Sequence, residues 1–332
     1  MRNLQGKLLL LLLLATFNGC KTLHLQQVDP SVITSRTTLT PHVSNLADEA
    51  EFSYVDVENF IEAQEAIAEG MDTTQAIQKL YFDRATPGLI MFIHKYKLTV
   101  DDIRLALPDF PSAYSRLPAV LTALKQSEPT FIQAYQSIQD IIPNAVFPPT
   151  YFMVINHYGI NSGSTEGPLL TVEKHTPESI PKDLLPTLVY EMIHMQQLAS
   201  VGEAYFDIFS GEARTLLATS IREGGATYMS ELITGGSNHK NIAREYYMAH
   251  ELELWNLFSD QMNGNEMGDW LWTKPSNPEW PRDLGYAIGA RIVEHYYQNA
   301  DNKQEAAEVI MNITDYPLFL AMSGYSGGVP SN

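Results

Sequence analysis

The sequence predicts a mainly helical (α+β) fold with one small β-sheet, and three observations carry that expectation. Apolar residues recur at helical spacing over most of the chain from residue 47 onward. One run, residues 151–155 (Tyr-Phe-Met-Val-Ile), is short, aromatic and branched, the composition of a buried strand. A second run, Leu169-Leu170-Thr171-Val172, follows after the turn cluster Asn161-Ser162-Gly163-Ser164-Thr165. Two strands joined by a long polar turn would form a small sheet.

The N-terminus reads as a targeting segment and stands outside the fold. Arg2 and Lys7 are its basic start, residues 8–14 are an unbroken leucine run, and Gly19-Cys20 closes it. A bilayer span needs roughly 20 apolar residues, so this run is too short to cross one. The junction resembles a bacterial lipoprotein signal, which would remove residues 1–19 and anchor the chain to membrane in the cell envelope through a lipid on Cys20. An ordinary cleaved secretory signal followed by a stray cysteine is the alternative. Cys20 is the only cysteine, so no intramolecular disulfide can form and stability must come from packing.

The net charge is −18, and removal of residues 1–19 makes it more negative. Such a chain repels nucleic-acid phosphates and anionic lipid surfaces. Nucleic-acid binding is excluded, and membrane contact is left to the lipid. The polar stretch 20–46 reads as a tether.

Residues 47–145 read as an N-terminal helical layer. Its signals are Phe60, Ala63, Ala66 and Ile67, then Ile77, Leu80 and Tyr81, a break at Pro87-Gly88, and helical runs at 89–96, 117–124 and 131–142. Residues 146–332 form the second region, with 47–332 expected as one folded unit. In it Asp183 is placed to cap a helix striped by Leu184, Leu185, Leu188, Met192 and Met195. A helix at about 216–233 ends at Gly235-Gly236, a C-cap signal. Further helices are expected near 241–262, 284–299 and 303–312.

The chemistry centres on Tyr190-Glu191-Met192-Ile193-His194. In an H-E-x-x-H helix two histidines on one face bind zinc and the glutamate between them is the general base. Here Glu191 and His194 are present and a tyrosine holds the first ligand position. Glu223, in Arg222-Glu223-Gly224-Gly225-Ala226-Thr227-Tyr228, is where a third ligand on a neighbouring helix would sit. A phenol binds metal only after losing a proton whose pKa is about 10, so zinc is expected to be weak or absent. The structural alternative makes Glu191 a surface acid and His194 a satisfied helix histidine. His250 begins a similar string, but Leu254 denies it a second ligand. His157 and His175 flank the strands. Tyr286 and Arg291 lie five apart on a helix opened by the Gly285…Gly289 pair and are candidates to steady an oxyanion, against helix packing through the glycines. Trp270, Trp272 and Trp280 line either a cleft or a core.

Residues 149–197 and 223–228, with Pro281-Arg282-Asp283-Leu284-Gly285-Tyr286 and 319–325 near the C-terminus, resemble bacterial zinc-dependent proteases of the gluzincin type, related in broad plan to thermolysin. The resemblance covers most of residues 50–325. It implies a helical metallopeptidase-like fold with a small sheet beside the active-site helix, zinc on His194 and Glu223, and Glu191 as base. Tyr190 departs from that plan at the remaining ligand. Three function classes follow: an active zinc-dependent metallopeptidase, a pseudopeptidase that binds a peptide or protein partner, and a structural envelope or motility lipoprotein. Losing one metal ligand usually removes most catalysis, which favours the latter two.

Overall fold

The computed structural model describes residues 43–328, other than 203, 212 and 237–240. The leader, Cys20 and most of the tether lie outside the described residues. The body is mainly helical around one three-stranded parallel sheet, order β1-β2-β3, made of β1 (Phe52–Ser53), β2 (Thr150–Met153) and β3 (Leu169–Thr171). Phe52 aligns with Thr150 and Tyr151 with Leu169. β1 lies in a stretch expected to be helical throughout. It is two residues long, too short to show any period. The tether also ends sooner than expected, because Ser44 exchanges backbone bonds with Phe147.

β2 and β3 are buried on both faces, which is why they read as continuous apolar runs rather than alternating ones. Helix α1 (Val55–Ala68) follows β1 directly. Pro87-Gly88, expected as a break, opens α2 (Pro87–Tyr96), with the Thr86 hydroxyl accepting from Leu89 N. Gly88 lies against the Tyr151 ring, where an added Cβ would stand 2.2 Å from Cγ. Helix α3 (Val100–Asp109) starts with a Thr99/Asp102 capping box. The two expected runs at 117–124 and 131–142 are a single helix, α4 (Leu117–Ile141), which continues through Pro129. Its Phe131 and Tyr135 rings meet Phe52 at centroid distances of 5.6 and 5.4 Å, closing one side of the sheet.

Helix α5 (Leu185–Val201) carries the motif, and every residue from Pro186 to Gln197 is buried. A helix enclosed on all sides belongs to a core. Asp183 does not cap it: residues 180–184 form a wider turn that runs straight into the helix, and no side chain caps its start. Helix α6 (Ala204–Ser210) precedes α7 (Leu216–Thr234), which is capped by the Thr215 hydroxyl and ends at Gly235 with φ 65°. The run expected at 241–262 divides at His250 into α8 (Asn241–Ala249) and α9 (Glu251–Ser259). Helices α10 (Leu284–Asn299), α11 (Lys303–Met311) and α12 (Tyr316–Ser323) complete the body.

α7 and α10 pack backbone to backbone. A Cβ at Gly289 would lie 1.7 Å from Ser220 O, and one at Gly224 would lie 2.2 Å from Ala290 N. Glycines allow the two backbones to touch, and this contact presents α10 to the motif helix. Among the described residues no helix is long and apolar enough to cross a membrane.

Candidate functional site

Tyr190 and His194 stand one turn apart on α5 and turn the same face toward α7. Their rings meet edge-on at 4.6 Å. Both reach Glu223 of α7. The Tyr190 hydroxyl donates to Glu223 Oε2, and His194 Nε2 lies 3.4 Å from the same oxygen. Tyr286, from α10, hydrogen-bonds Tyr190. The fold therefore brings Tyr190, His194, Glu223 and Tyr286 to one point. Glu191 is at its edge, hydrogen-bonded by the backbone of Gly163. All five side chains are nearly enclosed.

Burial dominates the electrostatics. It pushes the Glu191 carboxyl up to about 7, with the His194 charge opposing and the Glu223 charge adding to the rise. Burial also works against a charged imidazole, but the hydrogen bond to Glu223 and the charges of Glu223 and Glu191 outweigh it. His194 is held above its ordinary value. The Tyr190 phenol is driven far above its ordinary value by burial and by the Glu223 charge, and it stays protonated.

Around this centre are residues that the sequence did not mark, together with Trp272 from its tryptophan cluster. His194 Nδ1 bonds Gln197 Oε1 at 2.8 Å, and Gln197 Nε2 donates to Arg222 O. The three-residue step from His194 to Gln197 is a signal that was there to read. Trp272 Nε1 donates to the Tyr286 hydroxyl at 2.9 Å. Lys95 donates to Ser162 Oγ and, at 3.2 Å, to Gly163 O, which fixes the strip of chain beside Glu191. No sequence spacing links Lys95 to Ser162 or Trp272 to Tyr286.

Other candidates stand apart from these contacts. The His157 ring stacks on Phe110 at 4.0 Å, His175 bonds Ser179, and His250 bonds Tyr246 O. Arg291 is spent on Glu251 and Glu294. Gly285 and Gly289 pack helices while Tyr286 faces the centre, so the two readings of that stretch hold together. Trp270 is core, edge-on to Phe258.

The donor set does not fit zinc. Two donors about 3.4 Å apart would suit one tetrahedral ion with bonds near 2.1 Å, and the His194–Glu223 separation is of that size. The third position fails, because Tyr190 is a neutral phenol bonded directly to Glu223 by its proton. Among the described residues no group of three or more His, Cys, Asp or Glu side chains is arranged to hold a metal ion.

Comparison with protein-family models, curated proteins and solved structures gives no match for this chain.

Proposed function

We propose that this chain is a cell-envelope lipoprotein with a metallopeptidase-like fold that binds a peptide or protein without cleaving it. The observation that carries the reading is the direction of one proton: Tyr190 donates into Glu223 at the point where a peptidase of the gluzincin type needs a third metal donor. With only His194 and Glu223 left, an ion would be held too weakly to activate water. Glu191, in the base position, would have no metal-bound water to deprotonate. The resemblance of residues 149–197 and 223–228 to that protease type supports the ancestry of the site. The Gly19-Cys20 junction supports the lipid anchor.

The purified protein should hold no stoichiometric zinc by metal analysis. It should cleave a mixed peptide pool no faster than its Glu191→Gln variant. One equivalent of tightly bound zinc, together with cleavage lost in Glu191→Gln, would establish an active peptidase instead. The anchor is checked by mass spectrometry of the mature N-terminus, with an acylated Cys20 expected.

A further inference from the structure

We infer that the Tyr190 hydroxyl has taken over the mechanical task of a metal ion, joining three helices at one point and barring zinc from that point. This rests on the reading of the site as non-catalytic and goes beyond it. It assigns the substituted residue a role of its own, where that reading needs only a lost ligand.

Proton accounting supports it. A phenol has one proton to give and lone pairs to receive. Tyr190 gives its proton to Glu223, and its oxygen is also bonded to the Tyr286 hydroxyl. The Tyr286 oxygen in turn receives the indole N–H of Trp272. Trp272, Tyr286, Tyr190 and Glu223 thus form one continuous series of hydrogen bonds, and such series polarise and strengthen each bond. His194 approaches the same Glu223 oxygen. One hydroxyl thus ties α5 to α7 and α10, as an ion ties its ligands.

The backbone around Trp272 agrees. Trp272 and Asp283 both have positive φ, 63° and 67°, a conformation that a bulky residue keeps only when its surroundings impose it. Asp283 accepts from Trp272 N at 2.9 Å, and Arg282 donates to Trp272 O at 2.6 Å. The loop is held from both sides in the one pose that delivers the indole to Tyr286.

The test is thermal melting of the full-length protein and three variants, each in EDTA and in zinc chloride. Wild type should melt at one temperature in both. Tyr190→Phe deletes one donor to the buried Glu223 carboxylate, so its midpoint should fall by about 5–10 °C, and zinc should not restore it. Tyr190→His should be similarly weakened in EDTA and should recover by several degrees as zinc approaches one equivalent. If Tyr190→Phe does not fold, Tyr286→Phe carries the test through a smaller drop. A Tyr190→Phe midpoint equal to wild type, or a Tyr286→Phe midpoint equal to wild type, would overturn the joint while leaving the non-catalytic reading intact. A wild-type midpoint that moves with zinc would overturn both.

Discussion

Gly289→Ala is expected to lower the urea midpoint of the fold steeply. The new methyl would lie 1.7 Å from the Ser220 carbonyl oxygen and 2.4 Å from its carbon. Both are backbone atoms of α7, so no rotamer change relieves the clash and the helices must separate. Separation also pulls Tyr286, one turn earlier on α10, away from Tyr190. A cost of at least about 4–5 kcal/mol belongs to this kind of overpacking, against a total stability of roughly 5–15 kcal/mol. Gly225→Ala is the internal comparison. Its methyl would meet Gln197 Nε2 at 3.5 Å and Ile310 Cγ2 at 3.7 Å, both ordinary contacts, and alanine favours helix over glycine by about 1 kcal/mol. Circular dichroism of the two variants under urea decides the matter. A Gly289→Ala midpoint close to wild type would mean that α7 and α10 are not in backbone contact.

Raising the pH from 5 to 7.5 should destabilise the fold by several kcal/mol. Burial pushes the Asp56 carboxyl up to about 6 and those of Glu173 and Glu191 up to about 7. Glu173 shows why: its Oε2 receives Ile155 N at 3.3 Å, while its Oε1 has no hydrogen-bond partner. In each case the folded chain keeps a proton that the unfolded chain has already released near pH 4. Their stabilisation is full below pH 4 and is lost as pH rises through 6 to 7. The loss is about 1.4 kcal/mol for each pH unit over which one such proton is held only by the folded state. His194, also raised, extends the same slope upward. Urea midpoints across this range should therefore fall with pH, and Glu173→Gln should make the fall shallower. A midpoint that rises from pH 5 to 7.5 would contradict the assigned protonation of these groups.

Much of the architecture was legible in the sequence where the physical signal is long. The helix at 216–234 declares itself through period and a glycine stop, that at 284–299 through period, and β2 through its aromatic, branched run. What escaped is short or non-local. β1 is two residues whose strand character comes only from Thr150 beside it. Asp183 is a plausible cap by sequence, yet the wider turn at 180–184 carries the chain into α5 without one. Pro129 invites a break that α4 does not make. At the site, one helical turn aligns Tyr190 with His194, and that much follows from geometry. The proton given to Glu223 and the indole delivered by Trp272 depend on how α7, α10 and a loop with two positive-φ residues are stacked. No spacing along the chain encodes that.

The pairing of Phe52 with Thr150 constrains the order in which the molecule can assemble. α1 to α4 are translated between the two partners, so the first rung of the sheet closes a long loop, an entropic cost that slows folding. A chain emerging from the ribosome cannot complete that rung before residue 150 has appeared. Until then Phe131 and Tyr135, whose rings both end up against Phe52, have no sheet to cover. During synthesis these aromatic rings are the surface on which a chaperone would act and from which premature aggregation would start.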